Sequence, residues 1–148
     1  MSTPSNRTRI VIAEDEAIIR LDLRETLEEE GYEVVADTGR GDTAIELVRQ
    51  HRPDVAIFDI KMPGIDGLEV LSRIHQEHPQ LPVVIISGHG TIQTAVEATQ
   101  PGAYDILEKP LDTDRVLVLL RNAFETRLLS EENERLRETI ESRYEIVG

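Results

Sequence analysis

Side chains able to bind a cation or a phosphoryl group follow four of the short apolar runs in this sequence. They are Glu14 and Asp15 after residues 10–13, Asp59 after 55–58, Ser87 after 83–86, and Lys109 with Pro110 shortly after 104–107. Three neighbouring carboxylates raise each other's pKa and destabilise a fold, and a bound divalent cation removes that repulsion. Ligand sets made only of oxygen select Mg²⁺, Mn²⁺ or Ca²⁺ rather than zinc.

The chemistry that these residue types support together is phosphoryl transfer to a carboxylate. A carboxylate such as Asp59 can act as a nucleophile and hold an aspartyl phosphate. A metal ion neutralises the charge on the phosphoryl oxygens, Lys109 supplies a second cation, and the Ser87 hydroxyl can donate a hydrogen bond. Each residue alone also fits a plain structural role, because acids after strands often cap helices and Lys-Pro is common in loops. The joint arrangement of all four at one edge of a sheet favours a phosphoryl-transfer site over separate structural roles.

The elements that must position these residues alternate along the chain. Short β-branched runs at 10–13, 34–36, 55–58, 83–86 and 104–107 alternate with helix-like segments at 16–30, 41–51, 67–77 and 91–99. A fifth helix is predicted from Asp112, a suitable N-cap. The first helix is predicted to present a broad apolar face and to end at Gly31; the face comprises Ile18, Leu21, Leu23 and Leu27.

Five strands alternating with five helices predict an α/β fold. The parallel sheet would be covered on both faces and joined by right-handed crossovers. The number of units fits a flavodoxin-like doubly wound sheet of order 2-1-3-4-5, with the site beyond the carboxyl ends of the strands. The fifth helix is expected to be extended, because its pattern continues to about residue 142.

Composition limits the class of protein. A chain of 148 residues suits one domain with its own core. No apolar run approaches the roughly 20 residues of a membrane span, and no signal peptide is recognisable, so a cytoplasmic location is expected. With 29 acidic and 16 basic residues and no cysteine, the chain is not expected to grip nucleic acid or to bind a metal through thiolates.

Four segments of the sequence resemble the receiver domains of response regulators in bacterial two-component systems. The matching segments, in the order of the family, are IVIAEDEA (10–17), DVAIFDIKMPGIDGLEVL (54–71), PVVIISGHG (82–90) and GAYDILEKP (102–110). They extend over about 100 residues of the chain. The resemblance implies a regulatory domain that accepts a phosphoryl group from a sensor histidine kinase, and catalyses only its own phosphorylation and dephosphorylation.

The same resemblance implies a role for each matching residue. Asp59 would be the phosphoacceptor and, with Asp15, a Mg²⁺ ligand, and Glu14 would be a ligand through water. The backbone carbonyl of Lys61 would complete the protein ligands. Ser87 would reorient toward the phosphoryl group and Lys109 would pair with it. The Lys109–Pro110 peptide bond is expected to be cis, which an X-Pro bond allows.

One position departs from the family pattern. Receivers place an aromatic switch residue three positions before the lysine, and this chain has Ile106 there. Either an aliphatic side chain serves as the switch, or Tyr104 substitutes for it from the same face of the strand. The switch is expected to act on the surface of the predicted fourth helix and fifth strand.

The sequence also predicts how the chain is divided. Residues 1–8 are expected to form a disordered tail, 9–123 the receiver, 124–143 a coiled-coil-like linker, and 144–148 the start of an output domain that this chain lacks. The proposed seam is Leu129, Asn133, Leu136 and Ile140. These residues could pair two copies of the chain in a coiled-coil homodimer, or the segment could be a solvated surface helix; the sequence allows both.

The sequence resembles two different branches of the receiver family. GHGTIQTAVEA (88–98) and the tail resemble receivers of nitrogen-regulation-type enhancer-binding transcriptional activators, whereas AEDEAIIRLDLRETLEEEGYEVV (13–35) resembles receivers linked to RNA-binding antitermination domains. In both cases nucleic acid would be bound only by the output domain.

Two other classes of protein share part of the pattern. A phosphatase of the haloacid-dehalogenase type also uses an Asp at a strand end, but it needs a second acid where Lys61 stands. An FMN-binding flavodoxin-like domain needs a phosphate-binding loop after the first strand, where Glu14 and Asp15 would repel the phosphate.

Overall fold

A computed structural model describes residues 8–65, 67–88, 102–126 and 128–129 of the chain. The strands are β1 (Arg9–Ala13), β2 (Glu33–Thr38), β3 (Val55–Asp59), β4 (Val83–Ser87) and β5 (Asp105–Glu108). The helices are α1 (Ala17–Glu29), α2 (Gly41–His51), α3 (Gly67–Glu77) and a last helix at 113–126.

The five strands form one parallel sheet of order β2-β1-β3-β4-β5. This is the flavodoxin-like order predicted from the sequence. Strands β3 and β4 are buried along their whole length, as parallel strands covered on both faces must be. The order places β1, β3 and β4 at the centre, so their carboxyl ends meet at one edge.

Two apolar layers hold the sheet between helices. One layer packs alternate strand residues such as Ile12, Ile57 and Ile86 against α1 and the last helix. The other packs the intervening residues, such as Phe58 and Ile85, against α2 and α3. Since side chains alternate along a strand, each strand contributes to both layers and its position is fixed from two sides.

Two predicted helix boundaries, the end of α1 at Gly31 and the start of the last helix at Asp112, are confirmed. Gly31 has φ 95°, and its N–H donates to the Glu28 carbonyl oxygen at 3.1 Å after the last turn of α1, a conformation that glycine adopts at little cost. Asp112 Oδ1 accepts the Asp114 N–H at 3.0 Å and caps the last helix.

The predicted apolar face of α1 is wrong in part. Leu23 and Leu27 are buried against the sheet, but Ile18 is 85% exposed and Leu21 is 58% exposed. The buried stripe of the helix is therefore narrower than the predicted four-residue face. Ile18 and Leu21 lie on the solvent side with acidic residues such as Asp22. Helix α1 shares this side of the sheet with the last helix, so only part of its surface meets the core.

Several predictions fall partly or wholly outside the described residues. These are the fourth helix at 91–99, most of the N-terminal tail, and the seam residues Asn133, Leu136 and Ile140. Thr8, assigned to that tail, is buried, and its carbonyl oxygen accepts the Glu33 N–H at 2.9 Å. Leu129 is described and exposed. Among the residues that the structure describes, no helical segment combines the length and apolar character that crossing a bilayer requires.

Candidate functional site

The carboxyl ends of the central strands bring the predicted residues to one edge of the sheet. Glu14 directly follows β1, and its N–H donates to the Thr38 carbonyl oxygen at 2.9 Å. Asp59 is the last residue of β3 and pairs in register with Ile86 of β4. Ser87 therefore stands one position beyond that pair and pairs in turn with Glu108 of β5, which precedes Lys109.

Three carboxylates converge at this edge. One oxygen of each of Glu14, Asp15 and Asp59 lies within 4.8 Å of the others. Glu14 is fully buried and Asp59 is 3% exposed, whereas Asp15 is exposed to solvent. The cluster thus forms a small acidic site with a buried floor and an open mouth.

Lys109 reaches all the way into the acidic cluster. Its Nζ lies 2.6 Å from Glu14 Oε1, 2.8 Å from Glu16 Oε1 and 3.2 Å from Asp59 Oδ2. Lys109 itself is mostly buried, and the peptide bond that follows it is cis, as expected for Lys109–Pro110. One ammonium group therefore offsets part of the charge of three carboxylates.

Glu16 is the site residue that sequence reasoning did not assign a role. It stands at the N-cap of α1, yet its side chain makes no capping hydrogen bond and instead accepts a hydrogen bond from Lys109 at 2.8 Å. The available signal was its place as the third acid in a row after β1. Lys109 is 93 residues away in the chain, so the pairing itself had no local signature.

Burial and mutual repulsion shift the protonation of the acids. Burial, and then the adjacent Asp59, raise the pKa of Glu14 to about 8. The same two causes raise the pKa of Asp15. Burial alone would raise the pKa of Asp59, but the neighbouring Glu14 carboxyl group, the Lys61 N–H and the Lys109 ammonium together lower it. Without a metal, Glu14 therefore binds a proton more readily than a free glutamate does, whereas Asp59 loses its proton more readily than a free aspartate.

The donor set fits a hard divalent cation such as Mg²⁺. Glu14 Oε1 contacts the Lys109 ammonium at 2.6 Å, whereas among the described residues the buried Glu14 Oε2 has no hydrogen-bond partner. Buried oxygens without such partners are unusual in a folded protein. Carboxylate oxygens at an open mouth leave room for water and a phosphate oxygen, which Mg²⁺ prefers to a cage of protein ligands.

Two further predicted residues lie beside the cluster. Ser87 is buried at the end of β4, and its carbonyl oxygen accepts the Lys109 N–H at 2.9 Å. The Lys61 N–H donates to Asp59 Oδ1 at 3.3 Å, which places the Lys61 backbone at the site. The roles of the Ser87 hydroxyl and of the Lys61 carbonyl remain predictions.

The two candidate switch residues have different surroundings. Ile106 is half-buried against the layer shared with α2 and α3. Tyr104 precedes β5, is more exposed, and lines a cavity of about 380 Å³ with residues of the last helix such as Arg115 and Val118. Which of the two acts as the switch is left as a prediction.

Comparisons with known proteins identify the family of the chain. A sequence model described as the response regulator receiver domain matches residues 10–121. The chain is 40% identical over 144 residues to the C4-dicarboxylate transport transcriptional regulatory protein DctD of Pseudomonas aeruginosa, covering 96% of this chain and 30% of that protein. It is 44% identical over 132 residues to the nitrogen assimilation regulatory protein NtrX of Azorhizobium caulinodans, covering 87% and 29%.

A solved structure shows the same architecture. The crystal structure of NtrX from Brucella abortus superposes with a TM-score of 0.80 at 39% identity, covering 88% of this chain and 29% of that chain. The chain therefore spans less than a third of the length of each of these three relatives. Because the matched family model covers the strands and the acidic site together, the chain belongs to the response regulator receiver family.

Proposed function

We propose that this chain is the phosphoacceptor domain of a two-component response regulator. In this role Asp59 accepts a phosphoryl group from a sensor histidine kinase with Mg²⁺ as cofactor. The observation that carries the proposal is the convergence of Glu14, Asp15 and Asp59 within 4.8 Å, with Lys109 in contact. An ionised acceptor beside one cation and an acidic metal site is what phosphoryl transfer to a carboxylate needs.

The reaction follows from the positions of these side chains. The ionised Asp59 carboxylate attacks phosphorus, an O–P bond forms, and the P–N bond to the kinase histidine breaks with its electron pair left on the imidazole nitrogen. Lys109 then pairs with a phosphoryl oxygen instead of Asp59 Oδ2. Asp15, Asp59 and the Lys61 carbonyl would hold Mg²⁺, with Glu14 acting through water, and Mg²⁺ would neutralise charge on the phosphoryl oxygens.

The experiment that tests this role is phosphorylation without the kinase. Acetyl phosphate with Mg²⁺ should add one phosphoryl group to the protein, seen by intact-mass spectrometry, and Asp59→Asn should abolish the addition. The control Glu108→Gln removes an exposed acid at the same edge of the sheet and should still be phosphorylated. Phosphorylation of Asp59→Asn at the wild-type rate would refute the assignment.

The signal would leave the site through the sheet edge at β5. In the proposed sequence of events Ser87 turns toward the phosphoryl group, and Ile106 or Tyr104 follows it, which shifts the surface of the predicted fourth helix and fifth strand between two states. The half-buried position of Ile106 supports it as a residue able to repack, and the exposed Tyr104 ring is the alternative.

The rest of the regulator is proposed from the relatives. DctD and NtrX are named as regulatory proteins and are more than three times as long as the stretch that this chain matches. We infer that residues 9–123 form the receiver, that 124–143 form a dimerising linker, and that 144–148 lead into an output domain that controls transcription. A receiver of an RNA-binding antitermination regulator is the alternative. In either case the receiver itself performs no metabolic reaction, and turnover of a generic phosphate ester would contradict that.

A further inference from the structure

Arg20 connects three segments of the chain beneath the acidic site. From the first turns of α1 its Nη1 donates to the Glu14 carbonyl oxygen at 2.6 Å. Its Nε lies 3.4 Å from Asp37 Oδ1 near the end of β2. The Glu14 N–H in turn donates to the Thr38 carbonyl oxygen at 2.9 Å. The backbone of Glu14 is therefore bound at both its N–H and its carbonyl group.

The fold leaves space for this guanidinium at Gly39. A Cβ at Gly39 would lie 2.8 Å from Arg20 Nη1, 3.5 Å from Asp15 Cα and 3.7 Å from the Glu14 carbonyl oxygen. A real Cβ does not approach another atom as closely as 2.8 Å, so any larger residue at position 39 would displace the Arg20 head. The segment that carries Glu14 and Asp15 is thus held by Arg20, which in turn pairs with Asp37 and occupies the space beside Gly39.

We propose that Arg20 is a positioning residue of the acidic site, one that sets its affinity for Mg²⁺ by fixing the backbone of Glu14 and Asp15. The inference rests on the proposed function, because it assumes that these acids hold the metal. Partners that orient metal ligands affect affinity because a ligand free to turn away must be ordered again on binding. Arg20 binds the carbonyl of one ligand residue directly, so its loss should release that segment.

Arg24 offers a matched control for Arg20. It lies one turn further along α1 and forms ion pairs with the same Asp37 and with Glu28. Among the described residues its side chain makes no hydrogen bond to the Glu14–Glu16 segment. Arg20→Gln and Arg24→Gln therefore both remove one cation and one Asp37 contact. Removing a positive charge near a cation site would by itself strengthen Mg²⁺ binding, so weaker binding in Arg20→Gln alone cannot be a charge effect.

The test is the Mg²⁺ dissociation constant of each variant, measured by isothermal titration calorimetry, with urea unfolding of the metal-free proteins as a measure of stability. We expect Arg20→Gln to raise the dissociation constant about tenfold, while Arg24→Gln stays at or below the wild-type value. Gly39→Ala keeps every charge, forces the Arg20 head to shift, and should weaken Mg²⁺ binding in the same direction but by less than Arg20→Gln.

The possible results distinguish a positioning role of Arg20 from a purely structural one. If Arg20→Gln and Gly39→Ala bind Mg²⁺ as tightly as Arg24→Gln, the positioning role is overturned and Arg20 contributes only to stability. If Arg20→Gln does not fold, Gly39→Ala decides alone. If the wild-type protein binds no Mg²⁺, the proposed function fails, which is a different outcome from equal binding by all the variants.

Discussion

At the scale of single residues, the acid Glu14 has a strongly raised pKa in the metal-free protein. It is fully buried, and burial with the neighbouring Asp59 raises its pKa from 4.5 to about 8. A group whose pKa is higher in the folded than in the unfolded state binds more protons when folded between those two values. Its contribution to stability is therefore complete below the unfolded pKa and is lost as the pH rises through the folded pKa.

This linkage predicts a pH dependence of stability. The free energy of unfolding of the metal-free protein should fall as the pH rises from about 4.5 toward 8, and Glu14→Gln should reduce that fall. Asp15, whose pKa is also raised, contributes with the same sign in both proteins. The lowered pKa of Asp59 makes the free energy of unfolding rise with pH instead, but only at pH values below its ordinary pKa of 3.8. The measurement is urea unfolding at a series of pH values in the presence of a chelator.

The comparison between variants isolates the contribution of Glu14, because every other ionisable group is present in both proteins. Glu108→Gln serves as the control for removal of an exposed acid. Equal pH slopes for the wild type and Glu14→Gln would show that Glu14 is already ionised in the folded protein.

The site shows what a sequence can and cannot specify at this scale. Asp59, Lys109 and the Glu14–Asp15 pair were predictable because parallel strands bring their carboxyl ends to one edge of a sheet. The contacts of Glu16 and Arg20 were not, because they depend on how far long side chains reach across the folded surface. Glu16 meets a lysine 93 residues away, and no spacing rule connects the two.

At the scale of elements, the loop after β3 is held by the start of α2. The Gly41 N–H donates to the Pro63 carbonyl oxygen at 3.1 Å, and a Cβ at Gly41 would lie 2.1 Å from the Ile65 carbonyl oxygen. This loop begins directly after Asp59 and contains Lys61, whose N–H donates to Asp59. The close approach of α2 is therefore part of what positions the acceptor.

Gly41→Ala is expected to move this loop. The added methyl group meets backbone rather than a flexible side chain, so the loop must shift, and overpacking of this kind costs about 1–3 kcal/mol of stability. Urea unfolding should show that loss, and acetyl phosphate should phosphorylate the variant more slowly than the wild type. At Gly88 a Cβ would meet nothing within 4 Å among the described residues, so Gly88→Ala is the control for the change in stability. An unchanged free energy of unfolding in Gly41→Ala would mean that the loop does not rest on α2.

Helix α1 shows how far the burial of a helix can be predicted from its hydrophobic pattern. Its boundaries were predictable from the glycine that follows it, yet Ile18 and Leu21 are exposed rather than buried. An amphipathic pattern gives the period of a helix, but the centre and width of the buried stripe depend on the surface beneath it. The strands were easier to predict, because a fully buried parallel strand is apolar on both faces.

At the scale of the whole molecule, the protein has a net charge of −13, and part of that charge is gathered at one edge of the sheet. Two distinct effects of cations on stability follow. Any salt screens the general repulsion between surface acids. A cation that binds the acidic site only in the folded state adds a stabilisation that grows with its concentration relative to its dissociation constant.

Thermal unfolding separates these two effects. At a Mg²⁺ concentration one hundred times its dissociation constant the folded state should gain about 2.7 kcal/mol, beyond the effect of KCl at the same ionic strength. Asp59→Asn removes one of the three clustered carboxylates and should lose much of this gain while keeping the response to KCl. Circular dichroism during heating measures both, and chelation of the metal should reverse the gain. If Mg²⁺ and ionic-strength-matched KCl raise the Tm equally, the acidic cluster is only a charged surface and binds no specific ion, because screening depends on ionic strength and not on ligand geometry.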